Sequence, residues 1–256
     1  MNYAARAVRK AANIITNTIE DRKIDKLLEG QPIYHVHIRK TAGTSINLSF
    51  FNNYTEEDPN SFYQRLVAKN NSRLIKNNKV IVGWNQSFVN RGKFNYAFSH
   101  IPFHQLNLKP HIFKFTCLRD PIKRFLSHYN MLMYYQHHEP NHKILKGEGH
   151  WLGNSFGDFL KNIPMHHIKN QLHMFSSQLD RAEAFDNIMQ LDHIMFTENF
   201  ADDLKTLEKK LNLQLPVLRS KSYGYKADIP ESSLSRLREI LDDEYLLLEK
   251  IRSCLE

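Results

Sequence analysis

The chain has 256 residues, which is enough to bury the core of one large domain or of two small ones. Its 35 Lys and Arg residues outnumber its 27 Asp and Glu residues, and the formal net charge is +8 at pH 7. Such a balance favours an anionic partner: a nucleotide, an acidic glycan, nucleic acid or a membrane surface. The 2 cysteines lack the spacing of metal ligands and are too few for a disulfide framework.

Residues 1–30 differ from the rest of the chain in their pattern. The stretch "NYAARAVRKAANIITNTIE" is amphipathic at helical spacing and predicts a helix packed on the core, with attachment to a membrane surface as the alternative. Charges occur throughout, so we expect neither a signal peptide nor a membrane span. Residues 31–256 contain no linker, repeat or low-complexity run, which predicts a single domain.

Apolar runs predict strands, and amphipathic patterns between them predict helices. The strands are expected at residues 32–38, 79–83, 95–99, 112–118 and 192–197. The helices are expected at residues 44–52, 60–76, 121–136, 155–163, 199–212 and 232–253. Short apolar strands that alternate with helices are typical of a three-layer α/β fold, in which a parallel sheet is covered on both faces. Ligands bind such folds at the carboxyl ends of the strands, so the residues after each strand matter most.

The first strand is followed by "RKTAGTS", residues 39–45, which we refer to as the anion loop. A strand–turn–helix unit directs main-chain N–H groups and a helix N-terminus at one point. Lys40 adds a positive charge, and Gly43 allows close approach to the backbone. The hydroxyl donors are Thr41, Thr44 and Ser45. A triphosphate-binding loop would need G-x-x-x-x-G-K-[ST], whereas Lys40 precedes the glycine here. The alternative is a helix start capped by Thr or Ser beside an exposed lysine.

The fourth strand leads into "LRDPIKRFLSHY", residues 118–129. Asp120 and the proline after it are typical of a helix N-cap and first turn. Arg119 comes at the end of the strand, where its guanidinium can bind a phosphate with two hydrogen bonds. Arg124 and Ser127 share a helix face and extend a second phosphate-type site. The alternative is an arginine paired with Asp120 on a solvated helix face.

Together these stretches resemble carbohydrate sulfotransferases that carry the motifs "hxPKTGGTS", "GHxPF" and "RDPxxRxxSxY", a group that includes the uronyl 2-O-sulfotransferases and bacterial relatives. The matching segments are "IRKTAGTS", "SHIPF" and "RDPIKRFLSHY", within a resemblance that spans roughly residues 32–250. The resemblance implies a P-loop-like fold and 3′-phosphoadenosine 5′-phosphosulfate (PAPS) as donor, with 3′,5′-adenosine bisphosphate as product and no metal. It implies that the 5′-phosphosulfate is bound by Arg39, Lys40, Thr41, Ala42, Gly43, Thr44 and Ser45. It implies that the 3′-phosphate is bound by Arg119 and Ser127.

The motif "FSHIPF" follows the third strand, and the resemblance implies that its His100 is the general base. An imidazole that titrates near neutrality suits the removal of a proton from an attacking hydroxyl. Lys40 would then stabilise the charge on the departing phosphate oxygen. His104, four residues further on, is the nearest rival to His100 and a candidate for acceptor binding.

Weaker similarities continue downstream. "HIKNQLHMF", residues 167–175, makes Asn170 and Gln171 candidates for the acceptor pocket. The stretch "LRSKSYGYKADIP", residues 218–230, resembles a basic loop that closes over the nucleotide. Its candidate residues are Arg219, Lys221, Ser222 and Tyr225. Tyr134 and Tyr135, followed by a His-rich stretch to residue 151, are expected to border the acceptor, although an exposed polar loop is the alternative.

The chain departs from the family motifs at three positions. Arg39 replaces a proline, Ala42 a glycine, and Ser99 the glycine before the histidine. Arg39 could contact the sulfonate or point to solvent. We expect a carbohydrate or glycoconjugate acceptor and no nucleic-acid partner, because no nucleic-acid-binding signature occurs. The oligomeric state stays open.

Two alternative functions stay open at this point: a nucleotide kinase or phosphotransferase, and a non-catalytic protein that binds acidic glycans. The kinase would need a Mg²⁺-binding acid after a buried strand, for which only Asp120 and Glu198 are candidates. The glycan-binding alternative does not explain a histidine placed between two anion sites. The expected location is the cytoplasm, as in bacterial members of the family, with a trimmed Golgi-type protein as the alternative.

Overall fold

A computed structural model describes residues 24–68, 73–218 and 225–255. Most of the amphipathic segment predicted for residues 1–30 lies outside these ranges. Within the described part, Ile24 is 1% exposed and packs into the main core. The last part of this segment is therefore packed against the core through Ile24.

In the described ranges, one six-stranded sheet forms the centre of the fold, in the order β2-β3-β4-β1-β5-β6. The strands are β1 (Ile33–Val36), β2 (Arg73–Lys76), β3 (Lys79–Gly83), β4 (Tyr96–Ser99), β5 (Phe113–Leu118) and β6 (His193–Phe196). Neighbouring strands from β3 to β6 pair in parallel, and β2 pairs antiparallel with β3 at one edge. The five strands predicted from apolar runs are thus present as a parallel set.

The described part of the chain contains twelve α-helices. The first six are α1 (Gly43–Tyr54), α2 (Pro59–Ala68), α3 (Gln86–Arg91), α4 (Pro121–His138), α5 (Lys143–Glu148) and α6 (Phe156–Asn162). The others are α7 (Met165–Ile168), α8 (Asn170–His173), α9 (Arg181–Ile188), α10 (Phe200–Leu211), α11 (Glu231–Ile240) and α12 (Asp242–Leu255). Short 3₁₀ turns occur at Phe103–Gln105, Gly149–Trp151 and Thr197–Asn199.

The helix predicted for residues 60–76 was wrong in its second half. The helix ends at Ala68, and the chain forms strand β2 from Arg73. Asn77 and Asn78 have φ angles of 47° and 58° and form the two-residue connection of a β-hairpin. Asparagine is one of the few residues other than glycine that adopts this left-handed conformation readily, so the hairpin replaces the helix.

The long helix predicted for residues 232–253 is two helices, α11 and α12, that meet at Leu241. Leu241 is fully buried, and three acidic residues begin the next helix, where the helix dipole favours negative charge. The short helices α3, α5, α7, α8 and α9 were not predicted, because each has eight residues or fewer and gives little periodicity.

Helices cover both faces of the sheet, which confirms the predicted α/β class. Alternate residues of β1 face opposite sides: Ile33 packs with α1, α2 and α10, while Tyr34 and Val36 pack with α3, α9 and α12. A third apolar cluster joins α4, α6 and α11 through Phe125, Phe159 and Leu237. Helix α4 directly follows β5, so this cluster begins beside the carboxyl end of that strand, where the candidate site lies.

Candidate active site

The candidate site forms where three adjacent strands end. Strands β4, β1 and β5 lie side by side in parallel, and Val36 of β1 is in register with Ser99 and Thr116. His37 continues the ladder, because its N–H donates to the Ser99 oxygen at 3.0 Å. The anion loop, His100 and Arg119 follow these three strand ends. The sheet therefore brings together the three blocks that the sequence singled out.

The anion loop turns sharply before α1. Lys40 and Ala42 both have left-handed backbone, with φ angles of 69° and 64°. Ala42 is the N-cap residue of α1 and makes no side-chain capping hydrogen bond. Because the first N–H groups of a helix have no partner within the helix, they can bind an anion here. The alternative of a Thr or Ser cap is therefore not what forms.

The hydroxyl groups of the anion loop differ in their environment. The side chain of Thr41 is buried, and its hydroxyl donates to the Ile38 oxygen at 3.0 Å. This hydrogen bond stabilises the turn. Thr44 and Ser45 are partly exposed in the first turn of α1. Of the three hydroxyl-bearing residues, Thr44 and Ser45 are therefore the ones that reach solvent.

Gly43 is required by its close contact with His37. A Cβ atom at Gly43 would overlap both Cδ2 and Nε2 of the His37 imidazole. The His37 side chain is 5% exposed, so it has little room to move. The glycine therefore serves packing against the end of β1 as well as access to the backbone.

Lys40 is partly buried and lies in a cationic environment. Its Nζ is 3.5 Å from the Met131 sulfur on α4, and its main-chain oxygen accepts a hydrogen bond from Arg119 Nη1 at 3.0 Å. Burial lowers the pKa of Lys40 to about 8, and Arg39 and Arg119 contribute to the decrease. Lysine with such a pKa is protonated at neutral pH but close to titration.

His100 is fixed by a main-chain acceptor. Its Nδ1 lies 2.6 Å from the His37 oxygen, and the two imidazole centroids are 4.3 Å apart. A carbonyl oxygen can only accept, so Nδ1 carries the proton and Nε2 is left with its lone pair. Burial lowers the pKa of His100 to about 4, and the charge of Arg39 acts in the same direction. The imidazole is thus neutral at pH 7, and the expectation that it titrates near neutrality is wrong, because burial disfavours its charged form.

His104, the rival to His100, points elsewhere. Its Nε2 lies 3.2 Å from the main-chain oxygen of His173. The two rings are 5.9 Å apart, and His166 follows at 5.0 Å from His173. His104 therefore belongs to a histidine-rich surface next to the site rather than to the strand-end centre.

The second phosphate-type site, at the connection from β5 to α4, begins as the sequence predicts. The Asp120 carboxylate accepts the N–H of Lys123 at 2.8 Å, and the proline after it starts α4. Arg119 and Ser127 are both partly exposed. Arg124 is not available to a ligand: it is fully buried, and its Nη2 donates to the main-chain oxygens of His167 and Ile168. Arg124 therefore holds α7 against α4.

The side-chain amide of Gln171 fixes the main chain of Arg119. Its amide accepts the Arg119 N–H at 2.8 Å and donates to the Arg119 oxygen at 2.9 Å. The buried carboxylate of Glu244 in turn accepts the Gln171 N–H at 2.7 Å. Gln171 is fully buried and Asn170 is 6% exposed, so this pair offers almost no surface to an acceptor. Its position indicates that it orients the β5–α4 connection.

The aromatic candidates lie on the second half of α4. Tyr134 stacks on His138 at 4.5 Å, and Tyr135 stacks on His142 at 3.7 Å. Both tyrosines are partly buried and come one helical turn after Met131, which contacts Lys40. They therefore lie on α4 one helical turn beyond the residue that contacts the anion loop.

Three residues of the predicted basic loop, Arg219, Lys221 and Ser222, lie outside the described residues. The flanking residues are placed. The Pro216 oxygen accepts the Ser49 hydroxyl of α1 at 2.6 Å, and the Ala227 N–H donates to Asn130 of α4 at 3.2 Å. Tyr225 stacks on His137 of α4 with centroids 5.4 Å apart. Both flanks of the loop are thus fixed to the two helices whose N-termini border the site.

At two of the three positions that depart from the family motifs, Ser99 and Arg39, the side chain has a defined partner in the structure. The Ser99 hydroxyl lies 2.6 Å from the Tyr34 hydroxyl and also accepts the Ile101 N–H at 3.2 Å. Because the Tyr34 hydroxyl is buried, it needs such a partner, which glycine could not provide. Arg39 does not point to solvent: it forms an ion pair with Glu148 at 2.6 Å.

Glu148 and His128 were missed by the sequence reasoning. Glu148 accepts hydrogen bonds from both Arg39 and His128, although Arg39 is 109 residues away in the chain. No local spacing predicts such a pair. His128 lies inside the quoted motif between Ser127 and Tyr129, at a position that the motif leaves unspecified.

The carboxylates that a kinase would need are engaged in structural contacts. Asp120 caps α4 and accepts the Tyr245 hydroxyl at 3.1 Å. Glu198 accepts the Asp120 N–H at 2.9 Å and pairs with Arg252 at 3.5 Å. Within residues 24–68, 73–218 and 225–255, no group of three or more His, Cys, Asp and Glu side chains is arranged to hold a metal ion.

In the same ranges, no helix combines the length and the apolar composition needed to cross a membrane.

Comparison with known proteins agrees with this geometry. A family model described as "Sulfotransferase family" matches residues 28–249, which include all six strands and the three blocks at the strand ends. No curated protein matches the chain significantly. The family match supports transferase chemistry that moves a sulfuryl group. The chain therefore belongs to the Sulfotransferase family.

Proposed function

We propose that the chain transfers a sulfuryl group from PAPS to a hydroxyl of a carbohydrate or glycoconjugate. The observation that carries this proposal is the convergence of an uncapped helix start, Arg119 and the neutral base His100 at the ends of three adjacent strands. Such a set can bind two separated anionic groups and remove a proton between them.

The residues at the strand ends fit the donor. The N–H groups at the start of α1, with Lys40, Thr44 and Ser45, would hold the 5′-phosphosulfate. Arg119 and Ser127 would hold the 3′-phosphate, with Gln171 fixing the Arg119 main chain from behind. When bound, PAPS supplies a sulfuryl group attached to a phosphate that can leave.

His100 would act on the acceptor. Its Nε2 takes the proton of the attacking hydroxyl while a bond forms between the acceptor oxygen and sulfur, and the bond from sulfur to the phosphate oxygen breaks in line. Lys40 faces the negative charge that remains on that phosphate oxygen. Positioning of donor and acceptor contributes ~7–11 kcal/mol in well-oriented reactions, which is the main role of the surrounding fold.

The proposed acceptor is a sugar, because aromatic side chains lie on α4 beyond the residue that contacts the anion loop. Tyr134 and Tyr135 offer ring faces beside His138 and His142, and apolar rings with a few polar groups are typical of binding clefts. Tyr225 would border the nucleotide side, since it stacks on His137 of α4.

The direct test is a transfer assay with PAPS labelled in the sulfuryl group and a panel of acceptors: neutral oligosaccharides, uronic-acid oligosaccharides, a glycolipid and a simple alcohol. We expect label in at least one sugar, with an equal amount of 3′,5′-adenosine bisphosphate released. Transfer only to the alcohol would contradict the carbohydrate acceptor, and the absence of transfer despite nucleotide binding would contradict catalysis.

A further inference from the structure

The carboxylate of Glu148 joins two elements that meet at the anion loop. Its Oε1 accepts from Arg39 Nη1 at 2.6 Å, and its Oε2 accepts from Arg39 Nη2 at 3.0 Å. Oε2 also lies 2.7 Å from Nε2 of His128 on α4. Two parallel hydrogen bonds between a guanidinium and a carboxylate define both distance and orientation.

The three side chains are shielded from solvent. Glu148 is 16% exposed, Arg39 19% and His128 1%. Burial by itself would raise the pKa of Glu148, but the hydrogen bonds from His128 and Arg39 outweigh it and lower the pKa to about 2. Burial keeps His128 neutral, so it donates its Nε2–H to an ionised Glu148.

These contacts tie the anion loop to α4 at two points. Arg39 is connected to α4 through Glu148 and His128, and the next residue, Lys40, meets Met131 three residues further along the same helix. Glu148 ends α5, the helix that follows α4 in the chain. One carboxylate thus joins the anion loop, α4 and the end of α5.

The charge of Glu148 also acts on both Lys40 and His100. The charged groups that act on Lys40 are Arg39 in the loop, Arg119 after β5, and Glu148. Those that act on His100 are Arg39 and Glu148. In both cases Arg39 lowers the pKa and Glu148 raises it. The carboxylate of Glu148 therefore offsets part of the positive charge at the site.

We propose that Glu148 is a positioning residue for sulfuryl transfer, which fixes Arg39 and the anion loop against α4 and balances the positive charge around Lys40. This role rests on the proposed function. Glu148 does not touch the reacting atoms; it acts through Arg39 and through its charge.

The test compares Glu148→Gln, Glu148→Asp, Arg39→Gln and the double variant Glu148→Gln/Arg39→Gln with wild type. Glu139→Gln, at the exposed end of α4, is the matched control. Two quantities are measured for each: kcat and KM for PAPS, and the pKa of Lys40 from the pH dependence of competitive amine labelling, read by mass spectrometry of the Lys40 peptide. The second readout does not depend on turnover.

We expect Glu148→Gln to lower kcat by ~10–10²-fold, the scale of a lost orientation, and to move the labelling of Lys40 to lower pH. Arg39→Gln should also lower kcat but move the labelling to higher pH, since a positive neighbour is removed. The double variant should be no slower than the slower single variant, because both act through one pair. Glu148→Asp keeps the charge, so it should restore the labelling profile and only part of kcat, while Glu139→Gln should resemble wild type.

Additive losses in the double variant, or Lys40 labelling that is unchanged in Glu148→Gln, would overturn the proposal while leaving sulfuryl transfer intact. If Glu148→Gln does not fold, Glu148→Asp and Arg39→Gln carry the same comparison. A wild-type protein that neither binds the bisphosphate nor transfers sulfate would instead refute the proposed function, and the labelling shifts would still report separately on the charge of Glu148.

Discussion

The Nδ1 atom of His100 lies 2.6 Å from the main-chain oxygen of His37. This contact joins the residues that follow two neighbouring strands, β4 and β1, and it determines which nitrogen of His100 is free. The His37 ring in turn fills the space that Gly43 leaves above the anion loop. The position of the base and the shape of the donor loop therefore depend on one another.

Replacement of His100 by asparagine should separate catalysis from binding. The asparagine side chain would keep a polar group near the His37 oxygen but could not take a proton, so we expect kcat to fall by ~10²–10⁴-fold. The affinity for 3′,5′-adenosine bisphosphate, measured by calorimetry, should stay within about twofold, since His100 lies outside the donor-binding set. The control is His111→Asn, an exposed histidine before β5. A parallel loss of nucleotide affinity would show that His100 has a structural rather than a catalytic role.

The rate should depend on pH at both ends. His100 must be neutral, so kcat/KM should fall as the pH decreases through its pKa of about 4. Lys40 must be protonated, so kcat/KM should fall as the pH increases through its pKa of about 8. In Lys40→Arg the charge persists at higher pH, and the alkaline decrease should disappear from whatever activity remains. An alkaline decrease that persists in this variant would exclude Lys40 as its source.

Gly43→Ala should damage the site through His37. The new methyl group cannot coexist with the present imidazole position, and forced displacement in a packed region costs ~1–3 kcal/mol of stability. Movement of His37 would also misplace His100, so kcat should fall. Gly157→Ala in α6 is the matched control, because its nearest neighbour to a Cβ, the Ser155 hydroxyl, is 3.6 Å away. Equal behaviour of the two variants in thermal unfolding and in turnover would contradict this account.

Ala42→Gly should stabilise the protein. Ala42 has a φ of 64°, where an L-residue loses ~1–2 kcal/mol relative to its preferred backbone, and glycine does not. Part of this gain is offset by the greater freedom of glycine in the unfolded chain, which leaves an expected increase of ~0.5–1 kcal/mol. The same substitution at Ala182, exposed in α9, should decrease stability. Chemical denaturation of both variants checks the opposite signs.

Much of the fold could be predicted from the sequence because its strands are short, apolar and buried. The runs at residues 32–38 and 112–118 gave β1 and β5, and the Asp-Pro pair gave the start of α4. The hairpin was missed because "RLIKNNKVIV" contains apolar residues at spacings that also suit a helix. The Asn-Asn pair was the local signal that favoured a turn.

Only the parts of the site that lie within local sequence motifs could be predicted from the sequence. The anion loop, His100 and Arg119 each follow a strand, so their meeting at one edge follows from a parallel sheet. Glu148 and the roles of His37 and Gln171 depend on contacts between distant parts of the chain, which periodicity does not encode. Gln171 was predicted to be an acceptor residue, whereas its amide lies buried behind Arg119.

The most direct test of the central claim is thermal unfolding with 3′,5′-adenosine bisphosphate, Mg²⁺-ATP or AMP at equal concentrations. A ligand at ~100 times its Kd stabilises by about 2.7 kcal/mol. For a chain of this size, each kcal/mol raises the Tm by roughly 2–4 °C. We predict a Tm increase of several degrees with the bisphosphate and little change with the other two. An increase with Mg²⁺-ATP alone, or with none of the three, would contradict a site built for a donor with separated phosphate and phosphosulfate groups.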